Sequence, residues 1–231
     1  MRKNIMVNYK NFRLSKLNTE EFKHLKYFLY WPIYGIFYIG TEQIWIRDYY
    51  YPVHCFLDDI IPFHEAFLIP YMLWFVYLIG FIVYGLLYDT DSFKRMMRFM
   101  IVTYTTTLII YLLFPNCQEL RPETFARDNI LTRFMSFVYR IDTNTNVCPS
   151  IHVIGSVAVV VSAWKSRYLS GWGWRIGCIL FSALICASTV FLKQHSAVDI
   201  LAAMPVCVLG YFAAYLDVFR RKSGKIIQKV Y

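Results

Sequence analysis

Long stretches without a charged residue dominate this chain. Four of these stretches cover 66–88, 99–118, 176–192 and 200–216. Two shorter ones, 27–41 and 153–164, extend past one or two polar residues. A helix needs about 20 apolar residues to cross a hydrocarbon core about 30 Å thick. The pattern therefore predicts an all-α, polytopic membrane protein, built as a bundle of six transmembrane helices.

The first apolar segment, 27–41, also fits a second interpretation. Basic residues precede it and Pro32 interrupts it, so that it could instead lie in the membrane interface. The first 26 residues contain seven Lys or Arg and no apolar run before a small-residue cleavage site. We therefore expect no cleavable signal peptide, and the segment stays in the protein.

Composition supports the membrane assignment. Of the 231 residues, 58% are hydrophobic, 19% are aromatic and only 17% are charged. An ordinary water-soluble domain of this size does not carry so much apolar surface. These values argue against a soluble enzyme or a soluble binding module.

The distribution of charge predicts the orientation. With six spans and a cytoplasmic N-terminus, 18 of the 24 Lys and Arg residues fall on the inner side, which carries +13 against −4 outside. This follows the positive-inside rule. We expect an integral protein of the plasma membrane with both termini in the cytoplasm. Because the net charge of +9 lies mostly in short loops and tails beside anionic lipid, no nucleic-acid partner is expected.

The chain is expected to form one membrane domain, 24–217, between two basic cytoplasmic tails, 1–23 and 218–231. The longest connection, 116–148, lies outside in this topology and is too long for a simple hairpin. A short amphipathic helix is predicted within it from the apolar residues Phe134, Met135, Phe137, Val138 and Tyr139. A second outer segment, 46–65, could re-enter or cap the same site.

The six cysteines suggest no metal centre. Their spacing contains no CxxC pair and no Cys/His pattern of a zinc site. One disulfide among Cys55, Cys117 and Cys148 is conceivable, whereas buried small apolar side chains are the better interpretation for all six. No cofactor signature is present, and we expect neither a metal nor a cofactor. The sequence does not fix the oligomeric state.

His195 and Asp199 stand at the entrance of the last apolar segment. Four residues apart on a helix, they share a face. A carboxylate bound to one ring nitrogen fixes the imidazole tautomer and leaves the other nitrogen free to attack phosphorus. Ionisable residues beside membrane segments are functional by default. The alternative is a structural pair that satisfies two polar groups between helices.

A second set of residues completes a phosphoryl-transfer site. His152, in Pro149-Ser150-Ile151-His152, could protonate the leaving group. Pro149 and Ser150 at a helix start offer N–H groups and a hydroxyl to an anion. Arg121 could bind phosphate oxygens with two parallel hydrogen bonds, and Lys193 is the cation nearest to His195 in sequence.

These residues resemble the three sequence blocks of the type 2 phosphatidic acid phosphatase superfamily. Arg121-Pro122 is similar to the end of the first block, Pro149 to His152 to the second, and Ser188 with His195 and Asp199 to the third. The resemblance implies a six-span bundle in which His195 is the nucleophile, Asp199 orients it and His152 is the general acid. It also implies that Arg121 and Ser150 hold phosphate, with no metal required.

The chain departs from the family pattern at two positions. Phe114 stands where the first block has lysine, and Thr189 where the third has arginine. Arg127 or Lys193 could replace the missing cations. A third block without its arginine, but with a polar residue just before the histidine, is similar to the inositol phosphorylceramide synthase branch, whose members transfer a phospho-headgroup between lipids.

The expected function is a lipid phosphatase acting on a phosphatidic acid-like lipid or a polyprenyl diphosphate at the outer face, through a phosphohistidine. One alternative is a phosphotransferase that moves a phospho-headgroup to an alcohol. Another is a non-catalytic protein that binds lipid phosphates. A transporter is disfavoured because the ionisable cluster lies near one face and no inverted repeat is visible.

Overall fold

Eight α-helices build most of residues 7–227, the part of the chain that the computed structural model describes; for 216–227 it describes the backbone alone. The helices are α1 (Tyr30–Ile39), α2 (Phe56–Ile60), α3 (Leu68–Tyr88), α4 (Thr90–Leu113), α5 (Ile130–Ile141), α6 (Ile151–Lys165), α7 (Trp172–Phe191) and α8 (Ala197–Ile227). Two short strands, β1 (Tyr51–Pro52) and β2 (Asn116–Cys117), pair in parallel. The predicted helical class is confirmed.

Four helical segments within the described residues are long and apolar enough to cross a membrane. They are Glu65–Tyr88, Thr90–Leu113, Trp172–Phe191 and Ala197–Tyr215, and they overlap the predicted runs 66–88, 99–118, 176–192 and 200–216. The other two predicted spans form shorter helices, α1 with 10 residues and α6 with 15. Four such helices suggest a membrane protein, whereas the count of six spans is not confirmed.

The segment around α1 differs from a single regular span. A 3-10 helix (Lys23–Leu29) precedes α1, and a π-helical turn (Gly40–Ile44) follows it. Pro32 lies in the first turn of α1, two residues after the 3-10 helix changes into the α-helix. The helical backbone continues through Pro32, although proline has no N–H to donate to the preceding turn.

Helix α4 packs against α3, α6 and α8 and supplies much of the core. Its buried side chains include Phe93, Met96, Met97, Met100, Thr103 and Tyr104. At the contact with α8, a Cβ on Gly210 would lie 2.3 Å from Cγ2 of Thr103. Glycine therefore permits an approach of α4 and α8 that any larger residue would prevent.

The end of the bundle opposite the histidines is held by Asp89. This residue caps α4 by accepting a hydrogen bond from the N–H of Ser92 at 3.1 Å. Ser166, just after α6, donates its hydroxyl to the same carboxylate at 2.9 Å. Asp89 therefore fixes the start of α4 against the end of α6.

Residues 7–22, within the predicted N-terminal tail, pack onto the bundle. The hydroxyl of Tyr9 donates to the carbonyl of Leu86 at 2.7 Å and lies 2.9 Å from Nε2 of His24. The side chain of Phe22 is fully buried. At the other end, α8 continues to Ile227, so the predicted boundary at 217 falls inside a helix; residues 1–6 and 228–231 lie outside the described part.

The connection between α4 and α6 contains α5, which overlaps the predicted amphipathic helix. Asn129 caps α5, accepting hydrogen bonds from the N–H groups of Leu131 and Thr132. Met135 and Val138 are buried in a cluster with Leu68, Tyr71 and Leu192, whereas Phe134 and Phe137 remain exposed. All six cysteines are free thiols.

Candidate active site

The loop between α7 and α8 carries His195. It turns through Lys193, whose φ is 52°, and the N–H groups of Gln194 and His195 both donate to the carbonyl of Thr189. Asp199 follows in the first turn of α8, where the helix dipole favours a carboxylate. The loop thus forms a compact turn that holds the side chains of His195 and Asp199, the two candidate functional residues.

His195 and Asp199 form a buried pair. Nδ1 of His195 lies 2.9 Å from Oδ2 of Asp199, and the two side chains are 7% and 0% exposed. The N–H of Ser196 also donates to Oδ2 at 3.1 Å. Because an ionised carboxylate only accepts, Nδ1 carries the proton and Nε2 keeps its lone pair. No described residue forms a hydrogen bond with Nε2, so this nitrogen is free to act as a nucleophile.

The segment before α6 is fixed by residues from the end of α4. Oδ1 of Asn116 accepts hydrogen bonds from the N–H groups of Val147 and Cys148 at 2.9 and 2.8 Å. The hydroxyl of Tyr111 donates to the carbonyl of Pro149 at 2.7 Å. These contacts set the position at which α6, and with it His152, begins.

His152 faces His195. Their ring centroids are 5.5 Å apart and the rings are nearly perpendicular, at 70°. Trp74 and Tyr71 of α3 pack on the His152 ring with centroid distances of 4.4 and 4.7 Å. The N–H of Ser150 donates to the carbonyl of Asp199 at 3.3 Å, which joins the two loops. The structure therefore brings the predicted pair, His152 and Ser150 into one site.

Several buried polar atoms at this site have no hydrogen-bond partner among the described residues. They are Oγ of Ser150, Nδ1 of His152, Oδ1 of Asp199 and Nε of Arg121. Such groups are few in a folded protein, and each calls for a physical reason such as strain or chemistry. Buried polar atoms without a partner also occur elsewhere in the bundle, for example at Tyr34, Tyr104 and Ser162, so these four support a chemical role only together with the geometry of the two histidines.

Arg121 lies beside the histidine loop. Its NH2 group donates to Oε1 of Gln194 at 2.6 Å and to the carbonyl of Thr143 at 2.8 Å, and NH1 donates to the carbonyl of Tyr139 at 3.1 Å. The guanidinium also stacks on the Tyr139 ring at 4.6 Å. Burial lowers the pKa of Arg121 and the carboxylate of Asp142 opposes this, while the group stays charged at neutral pH.

The other two predicted phosphate-binding cations have different partners. The Lys193 ammonium donates to the carbonyls of Asp58 and Ile61 at 2.6 and 2.5 Å, and burial lowers its pKa. Arg127, 67% exposed, pairs with Glu65 at 3.2 Å. Neither side chain contacts His152 or His195 in the described structure.

Asp58, within the predicted outer segment 46–65, supports the His195 loop. It accepts hydrogen bonds from the Ser196 hydroxyl at 2.5 Å and from the N–H groups of Ala197 and Cys55 at 2.9 and 2.8 Å. Burial raises the pKa of Asp58, but these hydrogen bonds outweigh that effect and hold the pKa below its usual value. Segment 46–65 thus covers the loop that carries His195, and Asp58 makes the contact. The sequence spacing did not reveal this role of Asp58.

A second network was missed by sequence analysis. Nε2 of Gln194 donates to Oδ2 of Asp142 at 3.0 Å and to the Tyr71 hydroxyl at 3.3 Å. Tyr71 in turn donates to the same Asp142 oxygen at 3.0 Å. The only sequence signal was the position of Gln194 next to His195. Gln194 also accepts a hydrogen bond from Arg121. The network therefore links Arg121 to Tyr71, whose ring packs on His152.

Two cavities meet at the site. The first, the polar pocket, has a volume of about 20 Å³ and is lined by His152, His195 and Asp142 with several hydroxyl and amide side chains. The second, the apolar cavity, has a volume of about 590 Å³ and lies between α1, α3, α5 and the start of α6. Both are lined by Tyr38, Asp142, Ile151 and His152. The apolar cavity could therefore hold the body of an amphipathic ligand, with one small polar group in the polar pocket.

No protein-family model matches the chain, and neither a curated protein nor a solved structure is similar to it by the comparisons made. The arrangement of the residues and the motif resemblance are therefore the basis on which a function can be proposed.

Proposed function

We propose that the protein is an integral membrane enzyme of the type 2 phosphatidic acid phosphatase kind, which hydrolyses a lipid phosphate or diphosphate through a phosphohistidine on His195. The observation that carries this proposal is the buried contact of His195 Nδ1 with Asp199, opposite the ring of His152. That contact leaves Nε2 as a nucleophile facing a second histidine.

In the first step, Nε2 of His195 attacks phosphorus, and the bond from phosphorus to the lipid oxygen breaks. Asp199 stabilises the positive charge that develops on the ring of His195. His152 donates a proton to the departing oxygen, so a lipid phosphate releases an uncharged alcohol and a lipid diphosphate releases the lipid monophosphate. In the second step, His152 accepts a proton from water, which attacks phosphorus and breaks the phosphorus–nitrogen bond. Inorganic phosphate leaves and both histidines return to their starting state.

The phosphoryl group would be held by Arg121, Ser150 and the first turn of α6. The N–H groups at the beginning of this 15-residue helix favour an anion. Arg121 has an unpaired Nε–H, and Ser150 has an unpaired hydroxyl. These donors match the charge that builds on the equatorial oxygens during transfer.

The apolar cavity is the proposed place for the lipid chain. Its lining is mainly aromatic and aliphatic, and it reaches His152 at one end. Burial of hydrocarbon stabilises binding by about 25 cal/mol per Å² of apolar surface. A single-chain or two-chain lipid would thus be placed with its phosphate near the histidines.

The proposed orientation places the site on the outer face. The end of α4, the start of α6 and the loop between α7 and α8 meet at one end of the bundle, and the Asp89 cluster lies at the other. The second end carries basic residues of the inner loops, including Lys94, Arg95 and Lys165. In this proposal six segments cross the plasma membrane, with α1 and α6 as the shorter ones.

A phosphotransferase is the second candidate. No Lys or Arg is among the described residues that line the polar pocket, whereas Asp142 and several neutral polar side chains are. A doubly charged phosphate monoester or a diphosphate would benefit from more cations than Arg121 alone. Attack by an alcohol in place of water would convert the same mechanism into headgroup transfer.

A lipid assay with mass-spectrometric readout tests the proposal. Purified wild type would be given phosphatidic acid, polyprenyl diphosphate and phosphatidylinositol, with diacylglycerol or ceramide as acceptors. His54→Ala is a matched control, because His54 forms an exposed pair with Asp59. We expect product from wild type and His54→Ala, and none from His195→Ala.

Each outcome of this assay has a separate meaning. Free phosphate supports the hydrolase, and a new headgroup-bearing lipid supports the transferase. Binding of lipid phosphate without any product would favour the non-catalytic alternative. Equal turnover by His195→Ala and wild type would refute the assignment of the nucleophile.

A further inference from the structure

Asp142 lies at the junction of the polar pocket and the apolar cavity and lines both. Its Oδ2 accepts hydrogen bonds from Tyr71 and Gln194, each at 3.0 Å. No described residue forms a hydrogen bond with Oδ1. Two donors thus fix the orientation of this half-buried carboxylate, while its second oxygen is left available to a ligand.

The lining of the polar pocket indicates which ligand group fits there. Apart from Asp142 and the two histidines, its polar side chains are hydroxyls and amides: Tyr38, Tyr111, Thr143, Thr145, Asn146 and Gln194. A phosphate oxygen would be repelled by a carboxylate, whereas a hydroxyl group can donate to it. Hydrogen bonds to a charged acceptor are about twice as strong as neutral ones. The wall around Asp142 therefore suits an uncharged group that carries hydroxyls.

We propose that Asp142 binds a hydroxyl of a polyhydroxy alcohol acceptor and thereby directs the phosphoryl group of the phosphohistidine to that alcohol in preference to water. This inference rests on the proposed function and selects its transferase form. It makes Asp142 a specificity-determining residue that contacts the acceptor and takes no part in forming the phosphohistidine.

The acceptor needs two hydroxyl groups for this arrangement. The first attacks phosphorus, and its proton passes to His152, which lost a proton to the leaving group in the preceding step. The phosphorus–nitrogen bond breaks as the new phosphorus–oxygen bond forms, and His195 regains its lone pair. The second hydroxyl donates to Oδ1 of Asp142, which remains ionised throughout. No further reactant is required.

The test compares ethylene glycol with ethanol as acceptors, with dioctanoyl phosphatidic acid as the phosphoryl donor and the full-length protein in detergent. The readouts are the ratio of phosphorylated alcohol to inorganic phosphate and the amount of phosphohistidine on His195. The variants are Asp142→Asn and Asp142→Ala. Asp128→Asn is the control, because it removes a carboxylate from the exposed pair with Arg133 in the same connection.

We expect wild type and Asp128→Asn to prefer ethylene glycol over ethanol by at least about tenfold, the effect of one charge-assisted hydrogen bond. Both Asp142 variants should lose this preference, measured as the ratio of phosphorylated ethylene glycol to phosphorylated ethanol for each phosphohistidine formed, whereas Asp128→Asn should keep phosphohistidine formation within about twofold of wild type.

Three results would overturn the inference. If the preference persists in both Asp142 variants or is absent from wild type, Asp142 does not bind the acceptor and the proposed hydrolase stands. If Asp142→Asn lowers phosphohistidine formation and alcohol transfer equally, the residue acts by positioning Arg121 or His152. If wild type forms neither phosphohistidine nor product, the proposed function fails and the inference fails with it.

Discussion

Two His–Asp pairs in this protein have nearly the same contact distance, through different ring nitrogens, and different surroundings. His195 and Asp199 are 2.9 Å apart, and their side chains are 7% and 0% exposed. His54 and Asp59 are 2.8 Å apart, with exposures of 49% and 64%. Water screens the second pair, which contributes little, whereas the first is held in a medium where charges interact strongly. Burial and neighbouring side chains, more than the pair itself, therefore distinguish His195 as the proposed nucleophile.

The short helix α2 repeats this contrast between adjacent residues. Asp59 forms the exposed pair, whereas Asp58 is 2% exposed and accepts hydrogen bonds from Ser196 and Ala197. Asp59 thus lies at the surface, whereas Asp58 supports the loop that carries His195, the proposed nucleophile. Matched substitutions at the two pairs test this difference.

Replacing His195 by alanine should lower lipid turnover about 1,000-fold or more, because no other described side chain can take the place of its Nε2. Replacing His54 should leave turnover within about twofold. The turnover of both variants is measured as phosphate release or headgroup transfer at a saturating lipid concentration. Equal losses in the two variants would contradict the distinction between the pairs.

Asp199→Asn should lower turnover about 100-fold, because the neutral amide no longer fixes the Nδ1–H tautomer or stabilises the charged ring. The matched change Asp59→Asn should have no measurable effect. The split between kcat and KM is informative here, since Asp199 acts through His195 and we expect kcat to fall with KM nearly unchanged. A change confined to KM would argue against this role.

Asp58→Asn should destabilise the protein by about 2 kcal/mol, because it weakens several charge-assisted hydrogen bonds. The pKa of Asp58 is lower in the folded state than in the unfolded state. Its contribution to the free energy of unfolding is therefore present above the ordinary Asp pKa of about 4 and is lost as the pH falls through the pKa of the folded state. Unfolding of wild type and variant in detergent should therefore converge in acid. A constant difference at all pH values would contradict this, and Asp59→Asn serves as the control.

Gly35→Leu should raise the KM for a long-chain lipid phosphate about tenfold, since Gly35 lines the apolar cavity and a buried leucine side chain occupies space that hydrocarbon would fill. A Cβ built at Gly35 has no heavy atom of a neighbouring segment within 4 Å, and the same is true at Gly80. Gly80 does not line the apolar cavity, so Gly80→Leu is the control. A water-soluble phosphate ester should be unaffected by either change. Equal effects on both substrates would show that the apolar cavity does not bind the lipid chain.

Arg127→Gln should change turnover by less than about twofold, because the guanidinium is 67% exposed and pairs with Glu65. A much larger loss of activity would restore Arg127 as a phosphate ligand and would show that the loop closes further over the site. Steady-state kinetics at low and high salt would distinguish a direct contact from a screened one.

Local signals in the sequence predicted part of this arrangement. Charge-free runs of sufficient length predicted the four long apolar helices, and the four-residue spacing predicted the contact of His195 with Asp199. The first apolar segment was harder to interpret, because 3-10 and π turns around Tyr30–Ile39 depend on packing against the rest of the bundle.

Contacts between distant segments could not be predicted. Asp58 meets Ser196 across 138 residues, and Lys193 meets Ile61 across 132. Lys193, although close in sequence to His195, therefore has its ammonium group bound to the carbonyls of another segment. Gln194 and Asp142 were missed for the same reason, since neither forms a recognisable pattern until the fold brings them together.

Direct detection of a phosphohistidine tests whether His195 is the nucleophile. Wild type would be mixed with dioctanoyl phosphatidic acid, stopped in alkali, where phosphohistidine survives, and digested for peptide mass spectrometry. The account predicts one phosphoryl group on His195, none on His54 and none in His195→Ala. Turnover without phosphorylated His195, or with the phosphoryl group on another residue, would contradict it.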